Sequence, residues 1–339
     1  MGNKYQADVP CIKPTSKDVF LGRREFITSL TAGFLAVSNT FCTLGRSQDE
    51  ESRILREPFS RPDVFPADKN SSYALHESLR QELTPRETAA THNNFYEFLP
   101  GRGGPVWKYT EDFKVVPWTI KISGACNNPM TLDLDDLLKF EHEERVYHFR
   151  CVERWAMNVP WSGFPLSKLM EKAEPKSAAK FIQFVTADRP NQMPGLKSQP
   201  QYPWPYKESL RMDEAMNELA LVVTGVYGKP LLIQHGAPVR IIVPWKYGYK
   251  NPKSIVRINF LTEQPKNFWQ RQPHEYGFIS NVNPNIPHPR WSQEKSHWLD
   301  TKKSFETPIF NGYEKYVAHL YPDEPRPPQK ALRSGQIAR

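Results

Sequence analysis

"RVYHFRCV", residues 145–152, alternates so that Tyr147, Phe149 and Cys151 fall on one face and His148 and Arg150 on the other. That is the period-two pattern of a β-strand. Two aromatic rings mark the first face as the one turned toward a core, so the Cys151 thiol looks inward. The strand runs on into "ERWAMNVPWSGFPL", which places Glu153, Trp155 and Trp161 just beyond the cysteine. Further out, "WTIKISG" (118–124) sets Trp118, Ile120 and Ile122 against Thr119 and Lys121, a half-buried strand. "KFIQFVTAD", "LALVVTGV", "VRIIVPW" and "SIVRINFL" read as four more strands. The helical signals are short. "TLDLDDLLKF" (131–140) spaces Leu134, Leu137 and Leu138 behind Asp133, an N-cap, and "FPLSKLMEKA" carries Leu166, Leu169, Met170 and Ala173 on one helical face. Two more short helices are expected, near "SLRMDEAM" and around "YALHESLRQEL". With 32 prolines, the connections should be long ordered loops rather than helix hairpins. Strand alternation, short helices and long loops without βαβ periodicity define an α+β fold, β-rich and mixed.

The 339 residues can hold one large domain or two moderate ones. A charged fraction of 24%, an apolar fraction of 39% and a mean hydropathy of −0.63 describe a soluble chain, not a multi-span membrane protein. The net charge of +8 raises nucleic acid, membrane surface and anionic ligand as partners. The basic residues are scattered and no nucleic-acid-binding motif is present, which argues against nucleic acid and leaves a local anion site.

Residues 20–45, "FLGRREFITSLTAGFLAVSNTFCTLG", join the pair Arg23 and Arg24 to a moderately apolar stretch. This resembles the twin-arginine signal that exports proteins already folded, as a cofactor inserted beforehand requires. A membrane anchor or amphipathic helix is the alternative, weakened by Thr28, Ser29, Thr31, Ser38, Asn39 and Thr40 in the segment. The expected organisation is a signal at 1–45, with its cleavage point open, and a surface-wrapping lead-in at 46–90. The main domain follows at 91–320, and a proline-rich, disordered tail at 321–339. Removing the signal takes Cys11 and Cys42 with it and leaves Cys126 and Cys151. In an oxidising compartment two remaining cysteines are expected to pair.

The chain has no C-x-x-C, no H-E-x-x-H, no calcium loop, no G-x-G-x-x-G and no G-x-S-x-G. Three readings of Cys151 therefore stand side by side. It is a disulfide partner of Cys126, a buried free thiol, or a single thiolate ligand to a metal whose other ligands come from an organic cofactor. "HGAPVRIIVPWKYGYKNPKS" (235–254) gathers Arg240, Lys246, Lys250 and Lys253 among Trp245, Tyr247 and Tyr249, either a phosphate site with ring-flanking aromatics or a solvated basic loop. "THNNFYEF" (91–98) offers Asn93, Asn94 and Glu97 to the edge of a heterocycle, or forms an Asx turn.

Taken together, "NNFYEF", "FRCVERWAMNVPWSGFPL", "HGAPVRIIVPWKYGYKNPKSI", "DEAMNELALVVTGVYGKPL" and "EYGF…NVNP…HPRWSQ" resemble the molybdopterin subunits of periplasmic protein-methionine-sulfoxide reductases. These are members of the sulfite-oxidase fold family, and the likeness spans roughly residues 90–320. The resemblance implies a sulfite-oxidase-type molybdopterin-binding domain with one molybdenum–molybdopterin group per chain and Cys151 as the metal's protein ligand. It implies that Asn93, Tyr96, Glu97, Thr186, His235, Arg240, Asn251, Pro252 and Lys253 hold the pterin. His235 and His274 depart from the family pattern of Asn and Asp. His235 is still expected to donate to the cofactor, and His274 to lie on the substrate side. The implied reaction is oxygen-atom transfer from methionine sulfoxide in oxidised periplasmic proteins. Because no C-x-x-C-H haem motif is present, the electrons are expected from a membrane haem-binding, quinone-linked subunit serving a monomeric catalytic chain. A sulfite-oxidising relative is the alternative activity. The stretch of about 50 residues after "NVNP" is too short for the immunoglobulin-like domain such enzymes carry, which needs roughly 100. A secreted binding protein with a Cys126–Cys151 disulfide is the non-enzymatic alternative.

Overall fold

The computed structural model describes residues 48–101 and 104–325, all within one unit. The twin-arginine segment, Cys11, Cys42 and residues 326–339 lie outside the described residues. In chain order the strands are β1 (Asp68–Lys69), β2 (Thr119–Gly124), β3 (Met130–Asp133), β4 (Glu143–Arg150), β5 (Trp155–Pro165), β6 (Phe181–Thr186) and β7 (Lys207–Arg211). They continue with β8 (Leu221–Val226), β9 (Lys229–Pro230), β10 (Arg240–Ile242), β11 (Ile255–Leu261), β12 (Lys295–Trp298) and β13 (Ser304–Glu306).

These strands form two mixed sheets. The larger runs β1-β4-β5-β12-β13, with β8 on the far half of β5 carrying β9 and β10; the smaller runs β3-β2-β11-β6-β7. In the smaller sheet, β2 alternates exposed and buried residues as its sequence alternation demands. The larger sheet is different. β4 and β5 pair antiparallel with Tyr147 opposite Val159 and Phe149 opposite Met157. The alternation in β4 separates two surfaces that are both covered. His148 is fully buried, lying edge-on to Trp298 with its centroid 5.3 Å away. Arg150 is fully buried as well, with Nε donating to Ser296 Oγ (2.7 Å) and Nη2 to Gln293 Oε1 (2.7 Å). Gly163 lets β5 and β8 meet, since a Cβ there would lie 2.0 Å from the Val222 carbonyl oxygen.

The short helices fall where spacing and caps put them. Asp133 caps Leu134–Leu138 in a capping box with Asp136, and Leu166–Ala173 buries Leu166, Leu169, Met170 and Ala173. Met212–Met216 is helical as expected, but the residues before it are strand β7. The helix expected around "YALHESLRQEL" is absent. Asn158 Nδ2 takes the carbonyls of Arg80 (2.7 Å) and Glu82 (3.1 Å), and the backbone of Thr84 donates to the Asn158 carbonyl, so tertiary bonds hold that stretch open. The local helix is Arg86–Thr91 instead. Tyr321, where the tail was expected to start, is buried and bonds Glu214 and Trp245, and the described fold continues to Pro325.

Candidate functional site

The site grows from the end of β4. Beyond Arg150 the chain reverses: Cys151 N–H donates to the Trp155 carbonyl (3.0 Å) and Arg154 N–H to the Cys151 carbonyl (2.9 Å). Arg154 closes the turn at φ 77°, a left-handed conformation costing a non-glycine residue about 1 kcal/mol. Strand β12 offsets it, with Arg154 Nε on the Lys295 carbonyl (2.9 Å) and His297 N–H on the Arg154 carbonyl (2.9 Å). The turn presents the Cys151 sulfur to a ring of polar groups. Glu153 N–H donates to Sγ at 3.5 Å, Asn94 Nδ2 at 3.8 Å, and Sγ lies 3.6 Å from Glu153 Oε2. That carboxylate oxygen is itself fixed by Asn94 Nδ2 (2.9 Å) and Trp155 Nε1 (3.0 Å). Burial pushes the Cys151 thiol well up, and the neighbouring Glu153 charge adds to the effect. Cys126 and Cys151 are both free and buried; Cys126 sits beyond β2 in the smaller sheet, bridged to Pro175. The disulfide reading is therefore overturned.

Sγ looks into a cleft of about 1100 Å³, its open mouth included. Four segments and Tyr206 wall it: residues 92–97, the Cys151 hairpin, residues 235–253 and residues 269–291. Of the residues singled out in the sequence, Asn93, Tyr96, Glu97, Cys151, His235, Arg240, Pro252 and Lys253 all line this one space. Gly195 allows the 92–97 wall to sit where it does, because a Cβ there would stand 2.0 Å from the Tyr96 carbonyl oxygen. Thr186 stands behind that wall and donates its hydroxyl to Glu97 Oε1 (3.2 Å). Asn251 does not line the cleft. Its Oδ1 accepts from Val243 N–H (2.5 Å) and its Nδ2 donates to the Tyr247 and Gly248 carbonyls (3.2 Å each), so it shapes the loop from within. His274 is exposed and off the cleft, while Tyr276, two residues on, lines it.

Charge in the cleft is costly and partly neutralised. Burial raises Glu97 to about 7 against the pull of Lys253, and burial lowers Lys253 to about 8 with the Arg240 charge adding to the shift. Arg240 falls to about 9 by burial alone; its Nη1 donates to the His235 carbonyl (2.7 Å). Burial takes His235 down to about 3, so the ring is neutral. Its Nε2 lies 3.1 Å from the Ala89 carbonyl, which makes Nε2 the protonated nitrogen and leaves Nδ1 an acceptor. Four buried polar atoms on the wall lack a hydrogen-bond partner: Asn93 Oδ1, Trp161 Nε1, His235 Nδ1 and Arg240 Nε. Each orphaned group of this kind costs about 1–3 kcal/mol.

Neither reading of Lys246 and Lys250 survives. Both are buried away from solvent and off the cleft wall, Lys246 paired with Glu214 (2.6 Å) and Lys250 with Glu208 (2.5 Å). Of the four cations in residues 235–254, Arg240 and Lys253 alone face the cleft. Asn94, offered in the sequence to the edge of a heterocycle, does line the cleft; sequence reasoning did not assign roles to Trp161, Trp269, Tyr276, Arg290 or Trp291, although "EYGF" and "HPRW" hold three of them. Aromatic residues in loops carry no periodicity that separates wall from core.

Residues 107–269 match the oxidoreductase molybdopterin binding domain family. The chain is 42% identical over 324 residues to the protein-methionine-sulfoxide reductase catalytic subunit MsrP of Burkholderia mallei, covering 93% of each. It is 41% identical to the MsrP subunit of Xanthomonas axonopodis pv. citri, covering 93% of this chain and 95% of that one. The solved sulfane dehydrogenase SoxCD of Paracoccus pantotrophus is a more distant likeness, with TM-score 0.41 and 16% identity over 70% of this chain and 59% of that one. An α+β domain with a buried thiol over a polar cleft, and two relatives alike along nearly their whole length, settle the family: the chain belongs to the MsrP protein-methionine-sulfoxide reductase catalytic subunits, oxidoreductases with a molybdopterin-binding domain.

Proposed function

We propose that this chain is a periplasmic, molybdenum-dependent reductase of methionine sulfoxide residues in proteins. The observation that carries the reading is the convergence on one cleft of a buried thiol and four unpartnered polar atoms. Those atoms fit a pterin. Asn93 Oδ1 and His235 Nδ1 ask for donors, Trp161 Nε1 and Arg240 Nε ask for acceptors, and a bicyclic heterocycle with a phosphate has both. His235 accordingly meets the group as an acceptor, where a donor was expected. Arg240 and Lys253 supply positive charge for the phosphate. When bound, the molybdenum–pterin group supplies two-electron chemistry: the sulfoxide S–O bond breaks, the thioether is released, and the oxygen leaves as water after uptake of two electrons and two protons.

The chain's own part is to bind, orient and manage protons. Cys151 would be the protein ligand to the metal, and as that ligand it would give up its thiol proton. Glu153 Oε2, 3.6 Å away, is placed to take that proton. The Glu153 N–H and Asn94 Nδ2 then hold the thiolate in one orientation. Asn251 and Thr186 act through the loop and through Glu97 rather than on the cleft.

One group per chain, a monomeric catalytic subunit, and electrons from a membrane haem-binding, quinone-linked partner complete the proposal. Methionine sulfoxide is a reversible lesion of an oxidising compartment, which makes repair there coherent. Export rests on Arg23 and Arg24: changing both to Lys should leave the precursor in the cytoplasm, and normal periplasmic recovery would refute it. The activity is tested on protein matured in a molybdopterin-producing host, by metal content and by dye-linked turnover of an oxidised peptide. Molybdenum at one per chain with sulfoxide reduction supports the reading. Oxidation of sulfite in its place would make the chain a sulfite oxidase, and absence of metal would remove the enzyme.

A further inference from the structure

The mouth of the cleft is more than an opening. Tyr96 meets Trp269 at 5.3 Å and 76°, and Trp269 meets Tyr276 at 5.1 Å. Tyr276 contacts His288, which stacks on Trp291 at 4.5 Å and 14°. Trp291 Nε1 donates to the Val152 carbonyl (2.9 Å), tying this arc of rings to the turn that carries Cys151. At the lip stands Arg290, its side chain 54% exposed, its guanidinium 5.1 Å from the Trp291 ring centre and paired with Glu275. Glu275 is only 16% exposed and also approaches His288 at 3.6 Å, so the carboxylate is the fixed partner and aims the arginine. A guanidinium has five N–H donors in a fixed fork and one carboxylate does not occupy them all.

The chemistry of this collar is selective. Aromatic edges and faces suit a polarisable thioether sulfur and its methyl group. A fixed cation offset by Glu275 and, deeper, by Glu153 offers little to a small anion, yet keeps donors for a neutral carbonyl or sulfoxide dipole. A side chain entering the collar leaves its own backbone at the lip, where the half-exposed Arg290 is. We propose that Trp269, Tyr276 and Trp291, beside the Tyr96 expected to hold the pterin, form the subsite for the methionine sulfoxide side chain. Arg290, aimed by Glu275, binds a backbone carbonyl of the substrate polypeptide and so favours sulfoxides carried on a chain over small free ones. This rests on the sulfoxide-reductase reading and adds to it a specificity-determining residue.

The test compares steady-state kinetics of the molybdenum-loaded enzyme, driven by a reduced dye, on a short unstructured peptide bearing methionine sulfoxide and on dimethyl sulfoxide, which has no backbone. In Arg290→Gln the ratio of KM for the peptide to KM for dimethyl sulfoxide should rise about tenfold, the low end for loss of a charge-assisted hydrogen bond at an exposed lip. Most of the change should fall on KM rather than kcat. Arg290→Lys should recover part of the ratio, and Glu275→Gln should shift it in the same direction as Arg290→Gln but less. Ratios unchanged in Arg290→Gln at normal molybdenum content, or a fall in kcat shared equally by both substrates, would overturn the assignment while leaving the reductase reading intact. Wild-type enzyme inactive on both sulfoxides would defeat the reductase reading and this one with it.

Discussion

Replacing Lys246 with Met tests whether the buried charges beside the cleft loop are structural. Lys246 and Glu214 have fully buried side chains, and the ammonium makes three bonds: to Glu214 Oε1 (2.6 Å), the Ile279 carbonyl (2.7 Å) and Asn281 Oδ1 (3.0 Å). Burial lowers Lys246 to about 8, which leaves it charged at neutral pH. Burial also pushes Glu214 upward, but the charge and hydrogen bond of Lys246 overcome that, and the carboxyl is held below its usual range. Removing the lysine strands a carboxylate in the core, a loss of about 3–5 kcal/mol. Against a total stability of about 5–15 kcal/mol, that is a large fraction. The assay is urea unfolding followed by tryptophan fluorescence at neutral pH. The adjoining change Glu214→Gln, made together with Lys246→Met, should recover part of the loss because no charge is left unpaired. The sign with pH is fixed too. In the native pair a depressed carboxyl contributes stability above about pH 4.5 that fades as pH falls through its folded value. In Lys246→Met the carboxyl keeps only neutral donors, the Tyr321 hydroxyl and the Arg211 backbone N–H, and burial raises it instead, so the deficit against wild type should shrink on acidification. A loss under about 1 kcal/mol, or a double variant no better than the single one, would refute the reasoning.

Cys151→Ser keeps the shape of the side chain and removes the soft ligand; molybdenum content and sulfoxide turnover should fall together while the unfolding midpoint of the metal-free protein changes little, and retained turnover would contradict the ligand role. His148 gives the second pH prediction: burial lowers it to about 4, so between pH 6.5 and that value the unfolded chain binds the extra proton and stability falls with acid. Urea unfolding should show the wild type losing about 1.5 kcal/mol more than His148→Gln between pH 6.5 and about pH 5; equal losses in the two proteins would show that His148 is not the titrating group.

Much of this was legible in the chain. Alternation placed β2, β4 and the thiol of Cys151, and the spacing of Leu134, Leu137 and Leu138 placed a capped helix, because those signals depend on neighbours one to four residues apart. The cleft was legible in part. Asn93, Glu97, Arg240 and Lys253 stood out by residue type, and the family resemblance added Tyr96, His235 and Pro252. What failed had partners far away in sequence. Lys246 and Lys250 read as free cations since Glu214 and Glu208 lie 32 and 42 residues off. The 73–83 stretch has helical composition, but Asn158, from 76 to 78 residues downstream, takes its carbonyls.

Those same distant bonds explain how loops can hold a cofactor in place. On the 235–253 side the one regular strand is the short β10, so the shape comes from bonds within the loop and from its anchors to neighbouring elements. Asn251 spends its whole amide on Val243, Tyr247 and Gly248. Ser254 closes back on the Ala237 carbonyl (2.6 Å), and the two lysines anchor the middle of the loop to β7 and the helix after it. A loop of this length fixed by solvated contacts would sample many shapes and lose the register between Arg240 and Lys253. Buried ion pairs are weak sources of stability compared with apolar packing, but they permit one arrangement and penalise the others heavily. In this chain they sit under a loop whose two remaining cations, Arg240 and Lys253, face one cleft. Lys246 and Lys250 therefore do not touch the anion site proposed for this cleft; they hold the middle of the loop whose far end carries Lys253.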